Sequence, residues 1–182
     1  MINTQKLENT GRVIWITGMS GSGKTTLAIE IVKKLKEFRK DVLLLDGDEL
    51  RNIFKSDMEN SQNYDRDTRI TLSLKYAKLA KLLSLQGGIV IVSTISMFKE
   101  VYAWNKENLP GYFEVYLKVP LEELFSRDSK KIYSRYQNME LKNVAGLDLQ
   151  IDEPTNSHWS PLFQKDKSAK CLANELLECL EN

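Results

Sequence analysis

The sequence predicts an α/β fold in which helices cover both faces of a parallel β-sheet. Three observations carry this prediction: short apolar runs alternate with longer amphipathic stretches, a glycine-rich loop follows the first apolar run, and two aspartates follow the second. Strands that alternate with helices pair in parallel, and polar groups at their carboxyl ends meet in one crevice. With 182 residues and no change of composition that would mark a linker, residues 1–182 are predicted to form one domain.

The first unit of the chain is a strand, a loop and a helix. Apolar residues 13–16 predict a buried strand, and residues 18–26 (GMSGSGKTT) then fit G-x-x-x-x-G-K-[ST], the phosphate-binding P-loop. The helix after the loop carries an apolar stripe at helical spacing, whose members are Leu27, Ile31, Leu35 and Phe38. The predicted architecture is therefore the three-layer sandwich of the P-loop NTPases.

The loop is predicted to bind ATP with Mg²⁺. Its glycines allow consecutive backbone N–H groups to turn inward around an anion, next to the positive end of the helix dipole. Lys24 is expected to reach the β and γ phosphates, and the Thr25 hydroxyl to hold Mg²⁺. The residues expected to bind ATP here are Gly18, Ser20, Gly21, Ser22, Gly23, Lys24, Thr25 and Thr26. A plain glycine-rich turn is the alternative, and the flanking strand and helix disfavour it.

The second and third strands end in polar residues. Apolar residues 42–45 predict a strand covered on both faces, which leads directly into Asp46-Gly47-Asp48. A helix N-cap accounts for Asp48 alone, but not easily for two carboxylates beside a P-loop. The third strand, residues 89–92, ends in hydroxyl side chains instead of the aspartate of a Walker B strand. Metal binding is therefore assigned to Asp46.

The remaining elements follow from periodicity and turn signals. Residues 65–86 predict a long helix, closed by two glycines, with an inward face formed by Ile70, Leu74, Ala77 and Leu82. The other predicted elements are a helix over residues 98–108, a strand over 112–119, a short helix over 121–126 and a C-terminal helix over 168–180.

Residues 127–161 differ in character from the rest of the chain. They mix basic side chains with few periodic apolar positions, and these basic side chains are Arg127, Lys130, Lys131, Arg135 and Lys142. A basic segment near the phosphates predicts a closing lid, which would exclude water and so protect the γ-phosphate from hydrolysis. A solvated charged surface is the other interpretation, and composition alone leaves both open.

Composition restricts the function classes. Lysine and arginine total 26 against 25 acidic residues, so the net charge of +1 provides no general attraction for nucleic acid or an acidic membrane. No apolar run approaches the length of a membrane span, and a cytoplasmic location is expected. Cys171 and Cys179 lack metal-ligand or redox spacing and are expected to be reduced thiols.

Four stretches in the first half of the chain match the motifs of one enzyme family in order. Residues 18–26 resemble its P-loop G-[LM]-S-G-S-G-K-[ST]-T, and residues 45–51 (LDGDELR) resemble its L-D-G-D-N-[IV]-R. Residues 65–70 (DRDTRI) resemble its D-R-E-E-N-I-R-R, and residues 95–98 (ISMF) its I-S-P-[YF]. These motifs identify the chain as similar to the adenylylsulfate (APS) kinase family.

The resemblance continues in the second half. Residues 114–117 are similar to the family's E-V-Y-[VL], residues 127–133 to its R-D-P-K-G-L-Y, and residues 141–148 to its lid motif I-K-G-F-T-G-[IV]-D. The resemblance thus covers roughly residues 13–154, which includes both the P-loop and the predicted lid.

Family resemblance implies ATP-dependent phosphorylation of the ribose 3′-hydroxyl of a nucleotide 5′-anhydride, by an enzyme that is commonly a homodimer. It implies that Asp46 holds Mg²⁺ and acts on the acceptor hydroxyl, while Arg51 and Arg66 grip the acceptor's phosphates. The residues expected to act in catalysis are Lys24, Asp46, Arg66 and Ser96. Those expected to bind the acceptor are Asp46, Asp48, Arg51, Arg66, Arg69, Ile95, Ser96, Lys142 and Val144, and Arg127 and Lys130 are expected to join the P-loop in binding ATP.

The departures from the family concentrate in the acceptor half. The family stacks the APS adenine between two phenylalanines, where this chain has Ser61 and Val144, and Arg69 stands for a family asparagine. Loss of an aromatic face removes about 1 to 3 kcal/mol of stacking per base. Some relatives in surface-polysaccharide pathways phosphorylate cytidine diphosphoramidate instead, and the changes suit that pyrimidine acceptor. APS is the alternative acceptor, with Tyr64 or Phe54 as the replacement ring.

Two further functions are weighed against a nucleotide 3′-kinase. A small-metabolite kinase of the shikimate or gluconate type shares the P-loop but does not require the Asp-Gly-Asp motif together with Arg51. A nucleotide-hydrolysing switch or a non-catalytic nucleotide-binding protein is disfavoured, because residues 105–108 (NKEN) do not form a guanine-reading N-K-x-D.

Overall fold

The centre of the protein is a parallel β-sheet. The computed structural model describes residues 11–54, 65–128 and 130–181. Within this part of the chain, the sheet has four strands in the order β2-β3-β1-β4. Their bounds are Arg12–Thr17 for β1, Val42–Asp46 for β2, Ile89–Ser93 for β3 and Phe113–Tyr116 for β4. All neighbours run parallel, which confirms the predicted sheet and the four predicted strands.

Helices cover both faces of this sheet, as predicted. In chain order they are α1 (Lys24–Lys36), α2 (Gly47–Ile53), α3 (Arg66–Ser84), α4 (Lys99–Asn108), α5 (Leu121–Arg127), α6 (Ile132–Gln137) and α7 (Ala169–Glu181). One core packs α1 and α7 against the sheet, and a second core packs α3 and α4 against the opposite face. The α/β sandwich with three layers is therefore confirmed.

Successive residues of β1 serve different cores. Ile14 and Ile16 point to the core shared with α1 and α7, whereas Val13 and Trp15 point to the core shared with α3 and α4. Side chains alternate across a strand, so a strand with helices on both sides needs an uninterrupted apolar run. This is why the apolar run in residues 13–16 predicted a buried strand.

Two apolar positions assigned to helix faces are exposed. Phe38 lies beyond the end of α1 and is 54% exposed, and Leu82 on α3 is 58% exposed. The assignment of both to the interior was wrong. The buried face of α3 is formed instead by Leu72, Tyr76, Ala77 and Ala80. Leu82 sits five residues after Ala77, a spacing that rotates it away from the face that packs on the sheet.

The strand β2 is less covered than its apolar run predicted. Leu43 is 39% exposed because β2 occupies one edge of the sheet, where helices do not enclose it fully. At the opposite edge, Trp159 forms a single parallel bridge with Val115. The predicted lid segment contains α6 and then an irregular stretch, in which Val144, Ala145 and Leu149 are buried. This stretch is therefore better packed than its composition indicated.

Two other features concern the helices of the described part of the chain. None of the helices in the described ranges is long and apolar enough to cross a membrane. Cys171 and Cys179 both lie on α7 and are free thiols, as expected.

Candidate active site

The P-loop connects β1 to α1 and depends on its glycines. Gly18, Gly21 and Gly23 all have positive φ angles, of 147°, 78° and 94°. A Cβ at Gly18 would lie 2.6 Å from the carbonyl oxygen of Leu117, which directly follows β4. A larger residue at this position would therefore clash with the backbone and displace the loop. Gly23 precedes α1 in a left-handed conformation and provides no side-chain cap. The first N–H groups of α1 therefore suit an anion such as a polyphosphate.

Lys24 is held inside this loop. Its Nζ donates hydrogen bonds to the Met19 carbonyl oxygen at 2.7 Å and to Ser22 Oγ at 3.5 Å, and its side chain is almost fully buried. Burial, together with the charge of Lys130, lowers the Lys24 pKa to about 7, although Asp48 and Asp46 partly oppose this. An ammonium group without a nearby phosphate is costly in such a place, so the loop is suited to receive negative charge.

The buried Lys24 makes ligand-free stability depend on pH. The Lys24 pKa is about 7 in the folded protein, whereas its ordinary value, expected in the unfolded chain, is 10.5. Between pH 7 and pH 10.5, Lys24 is therefore protonated in the unfolded chain but mostly neutral in the folded protein. The free energy of unfolding should then rise with pH, by up to about 1.4 kcal/mol per pH unit, and level off below pH 7. Denaturant unfolding across this range should show the rise in the wild type and lose it in Lys24→Met. If the free energy of unfolding changed with pH in the same way for the wild type and Lys24→Met, this prediction would be contradicted.

Asp46 connects the P-loop to the ends of β2 and β3. Its Oδ2 accepts hydrogen bonds from the Thr25 hydroxyl at 2.8 Å and from the Ser93 hydroxyl at 3.3 Å. Its Oδ1 accepts from the backbone N–H of Asp48 at 2.9 Å and so caps α2. Mg²⁺ in phosphate sites is held by one or two oxygen side chains and several waters. A carboxylate and a hydroxyl that meet beside the P-loop fit this ion.

Asp48 joins the strand ends to the predicted lid. Its carboxylate forms ion pairs with Arg51 of α2 and with Lys130, which follows α5. Burial alone would raise its pKa, but the hydrogen bond from Lys130 and the charge of Arg51 outweigh burial, so the Asp48 pKa is lowered. The carboxylate therefore stays ionised and holds two cations at the cleft.

The cleft beside the P-loop has a volume of about 430 Å³. Its walls hold most of the predicted site residues, namely Ser20, Gly21, Gly23, Lys24, Thr25, Thr26, Asp46, Asp48, Arg51, Arg69, Ile95, Ser96, Arg127 and Lys130. These residues come from the P-loop and the start of α1, from the ends of β2 and β3 with the residues that follow them, from α3, and from the end of α5 with the residues after it. The structure therefore brings both predicted half-sites into one cavity.

The remaining predicted residues lie elsewhere. Gly18, Ser22, Arg66, Lys142 and Val144 are not among the residues that form the wall of this cleft. Gly18 and Ser22 belong to the P-loop itself, and Val144 is 8% exposed. The proposed stacking positions Ser61 and Tyr64 lie outside the described residues. Roles for all of these positions stay predictions.

Arg66 lies at the start of α3, in a cluster of charges. Its guanidinium donates to both oxygens of Glu100 at 3.2 and 3.3 Å and to Asp152 Oδ2 at 2.6 Å. It also lies over the ring of Phe98, 5.2 Å from the centroid, and Phe98 lines the cleft. Arg66 thus supports the cleft wall and fixes the chain around Asp152, while its contact with an acceptor stays a prediction.

Sequence reasoning missed several residues of the acceptor half. Ser73 and Tyr76 of α3 line the cleft with Arg69, as do Thr94 and Phe98. Arg69, Ser73 and Tyr76 follow one another at spacings of four and three residues, which places them on one face of a helix. This spacing is visible in the sequence, but apolar periodicity marks only the buried face of α3 and gives no signal for its polar cleft-lining face.

Ser96 lies at the centre of a group of hydroxyls. Its Oγ is 2.7 Å from Ser73 Oγ and 2.9 Å from Thr94 Oγ1, and its φ of 26° is unusual for a residue other than glycine. The Ser73 hydroxyl also lies 2.7 Å from the Arg69 carbonyl oxygen, to which it donates. These contacts hold the end of β3 against α3 and present hydroxyl groups to the acceptor half of the cleft.

A smaller pocket of about 220 Å³ adjoins the P-loop on its other side. It shares Gly23, Thr26 and Arg127 with the main cleft, and its apolar wall includes Val119 and Phe163. The Arg127 guanidinium donates to the Gly21 carbonyl oxygen at 3.3 Å and lies over the Phe163 ring at 5.4 Å. A mostly apolar pocket next to a phosphate loop suits a nucleotide base.

Comparisons with known proteins match most of the chain. The family model described as "Adenylylsulphate kinase" matches residues 10–160. The cytidine diphosphoramidate kinase of Campylobacter jejuni is 45% identical over 148 residues, which are 81% of this chain and 84% of that protein. A probable adenylyl-sulfate kinase of Pyrococcus abyssi is 36% identical over 80% of this chain and 82% of that protein. The solved APS kinase of Mycobacterium tuberculosis, in complex with AMPPNP and APS, has a TM-score of 0.85 at 29% identity, over 95% of this chain and 99% of that one.

Proposed function

The chain belongs to the adenylylsulfate kinase family and is an ATP-dependent phosphotransferase acting on a hydroxyl group, and on that premise we propose that its acceptor is cytidine diphosphoramidate. The observation that carries the proposal is the changed acceptor half: Arg69 lines the cleft, whereas Val144, at the place of a family phenylalanine, is buried outside its wall. The similarity to a cytidine diphosphoramidate kinase supports the same acceptor.

The donor side of the proposal concerns ATP and Mg²⁺. When bound, ATP supplies the γ-phosphoryl group and Mg²⁺ neutralises charge on its phosphates. Thr25 and Asp46 would hold the ion, and the P-loop with Lys24 would hold the phosphates. The pocket around Val119 and Phe163 would take the adenine ring, with Arg127 between base and phosphates. Phosphoryl transfer depends mainly on positioning and charge neutralisation, and these residues supply both.

Asp46 is the residue best placed to act on the acceptor hydroxyl. Its Oδ1 caps α2, and its Oδ2 lies beside the hydroxyls of Thr25 and Ser93. There Oδ2 would accept the proton of the ribose 3′-hydroxyl in place of one of these hydrogen bonds, while that hydroxyl oxygen bonds to the γ-phosphorus. The bond from the γ-phosphorus to ADP breaks in the same transfer. Lys24 and Lys130 both line the cleft, where they would counter the negative charge of the transferred group.

APS is the second candidate acceptor. Two aromatic side chains, Tyr76 and Phe98, line the acceptor half, and Phe54 packs beside Tyr76 with ring centroids 6.0 Å apart. These rings provide an aromatic surface that a purine could use in place of the family phenylalanines. Relatives named adenylyl-sulfate kinase, at 33–38% identity, are consistent with this acceptor.

The two acceptors can be separated in one assay. ADP release should be measured with Mg·ATP and either cytidine diphosphoramidate or APS at matched concentrations, and the position of the new phosphate read by ³¹P NMR. We expect faster turnover of the cytidine compound, with the phosphate on the 3′-oxygen. A preference for APS would overturn the proposed acceptor. If the enzyme turned over neither compound, both candidate acceptors would be excluded.

The proposal has consequences beyond the site. The product would enter the synthesis of O-methyl phosphoramidate groups on a surface polysaccharide, and we propose that the enzyme acts in the cytoplasm. A homodimer is the assembly we propose for the enzyme.

A further inference from the structure

Tyr133 of α6 connects the segment after α5 to the P-loop. It is 2% exposed, and its ring packs against Phe125 with the ring centroids 4.8 Å apart. Its hydroxyl donates a hydrogen bond of 2.7 Å to the backbone carbonyl oxygen of Ser20, a P-loop residue 113 positions earlier in the chain. Burial raises the Tyr133 pKa to about 12, so this hydroxyl keeps its proton and stays a donor at neutral pH.

The backbone of Tyr133 is fixed as well. The two carboxylate oxygens of Asp128 accept hydrogen bonds from the backbone N–H of Tyr133 at 2.9 Å and from that of Ser134 at 3.0 Å. Asp128 directly follows α5, and Lys131, which precedes α6, provides no side-chain cap. The position of the Tyr133 hydroxyl is therefore determined by its ring packing and by the two bonds to Asp128.

The bond from Tyr133 orients one peptide group of the P-loop. No peptide bond in the described residues is cis, so the C=O of Ser20 and the N–H of Gly21 point in opposite directions from the same planar group. Ser20 and Gly21 are part of the cleft wall, whereas Tyr133 lies outside it. Holding the carbonyl oxygen toward Tyr133 therefore turns the Gly21 N–H toward the cleft side of the loop. Backbone N–H groups on that side are the donors with which a P-loop binds phosphate.

The carbonyl groups on either side of Ser20 are held in other ways. The Met19 carbonyl oxygen accepts from Lys24, which belongs to the loop itself. The Gly21 carbonyl oxygen accepts from Arg127 at 3.3 Å, and the Arg127 side chain is 32% exposed. Of the two contacts that reach these carbonyls from residues 127–133, that of Tyr133 is the shorter and comes from the more buried side chain. The orientation of this part of the loop therefore depends most on Tyr133.

We propose that Tyr133 is a positioning residue for phosphoryl transfer, which keeps the Gly21 N–H directed at the phosphates of ATP through its bond to Ser20. The inference rests on the donor side of the proposed function, the binding of ATP by the P-loop, and is independent of the acceptor. Tyr133 is buried outside the cleft wall, so it acts through the loop and not by contact with a phosphate.

A purely structural role for the Tyr133 hydroxyl is the competing explanation. Its loss would then lower the stability of the fold, while the folded molecules would bind ATP as tightly as before. A positioning role predicts instead that the folded protein binds nucleotide phosphates more weakly. It also predicts an unchanged KM for the acceptor at saturating ATP, because the Gly21 N–H faces the donor. Nucleotide affinity therefore separates the two roles.

The test uses Tyr133→Phe, which removes the hydroxyl and keeps the ring against Phe125. Equilibrium dissociation constants for Mg·ATP and Mg·ADP are measured together with the acceptor KM and thermal unfolding. We expect both nucleotides to bind about 3- to 10-fold more weakly, the range for loss of one neutral hydrogen bond. Unchanged nucleotide affinities would overturn the inference, and so would an equal loss for nucleotide and acceptor, which would indicate general loosening of the site.

Tyr136→Phe is the matched control, because Tyr136 lies on the same helix and outside the walls of both pockets. It should bind both nucleotides as the wild type does. If Tyr133→Phe does not fold, Asp128→Asn replaces it, since asparagine keeps one of the two acceptors that fix α6. That variant should weaken both nucleotides by a smaller factor, and wild-type affinities in it would then overturn the inference.

The binding measurements need no acceptor, so they separate this inference from the proposed function. A wild type that binds Mg·ATP but phosphorylates neither candidate acceptor would overturn the proposed acceptor and leave the inference in place. A wild type that does not bind Mg·ATP would overturn the donor side of the proposed function and the inference with it. Equal affinities in the wild type and Tyr133→Phe would overturn the inference alone.

Discussion

Lys24→Ala is expected to reduce turnover by about 1000-fold or more while leaving the fold intact. The amine lies within the P-loop, 2.7 Å from the Met19 carbonyl oxygen, where it faces the phosphates that the loop is shaped to bind. Its loss removes the positive charge closest to the transferred group. Because burial already disfavours the charged amine in the ligand-free protein, we do not expect the melting temperature to fall with the activity.

The measurement is ADP release under saturating acceptor, paired with thermal unfolding of the same sample. Lys33→Ala is the matched control, since Lys33 lies on the same helix with 64% of its side chain exposed and pairs with Glu30. That variant should retain full activity. Retention of a tenth or more of the activity by Lys24→Ala would remove Lys24 from the transfer step.

Asp46→Asn is expected to slow catalysis by about 100- to 10,000-fold, with a much smaller change in the KM for ATP. Asparagine has the same shape, and its side-chain oxygen can still accept the Asp48 N–H bond that caps α2. What is lost is the negative charge near the hydroxyls of Thr25 and Ser93, which both contact Asp46 Oδ2. Metal binding and the orientation of the acceptor hydroxyl should suffer together.

Asp65→Asn provides the same substitution at another helix N-cap. Asp65 caps α3 through the backbone N–H of Thr68 at 2.9 Å and does not line the cleft, so its variant should keep the wild-type rate. Single-turnover kinetics would show whether the slow step in Asp46→Asn is the transfer itself. Equal rates in Asp46→Asn and the wild type would exclude Asp46 from the mechanism.

The donor half of the site could be predicted from sequence because its geometry is local. Gly23, Lys24 and Thr25 are neighbours in the chain, and the loop that contains them has one compact conformation with positive φ at the glycines. The strands were predictable for a similar reason, since an apolar run of four or five residues between helices has to lie in a buried sheet. These features depend on few interactions beyond the segment itself.

The acceptor half depends on contacts between distant segments, and sequence reasoning found it only in part. Asp46 and Ser93 lie 47 residues apart, yet the parallel pairing of β2 with β3 places them opposite each other in register. Ser73 and Ser96 likewise meet only because α3 crosses back over the end of β3. No local pattern contains these pairs.

The sequence by itself determined the α/β class, the four strands, the P-loop with Lys24 and Thr25, and Asp46 as the acidic residue beside it. The tertiary structure decided which face of α3 is buried, that Leu43 is exposed on an edge strand, and that Arg66 pairs with Glu100 and Asp152. It also decided that Arg69 rather than Val144 lines the acceptor half. The physical reason is the distance along the chain over which the interactions act. Backbone preference and apolar periodicity act within one segment, whereas burial and ion pairing depend on which distant segments the fold brings together.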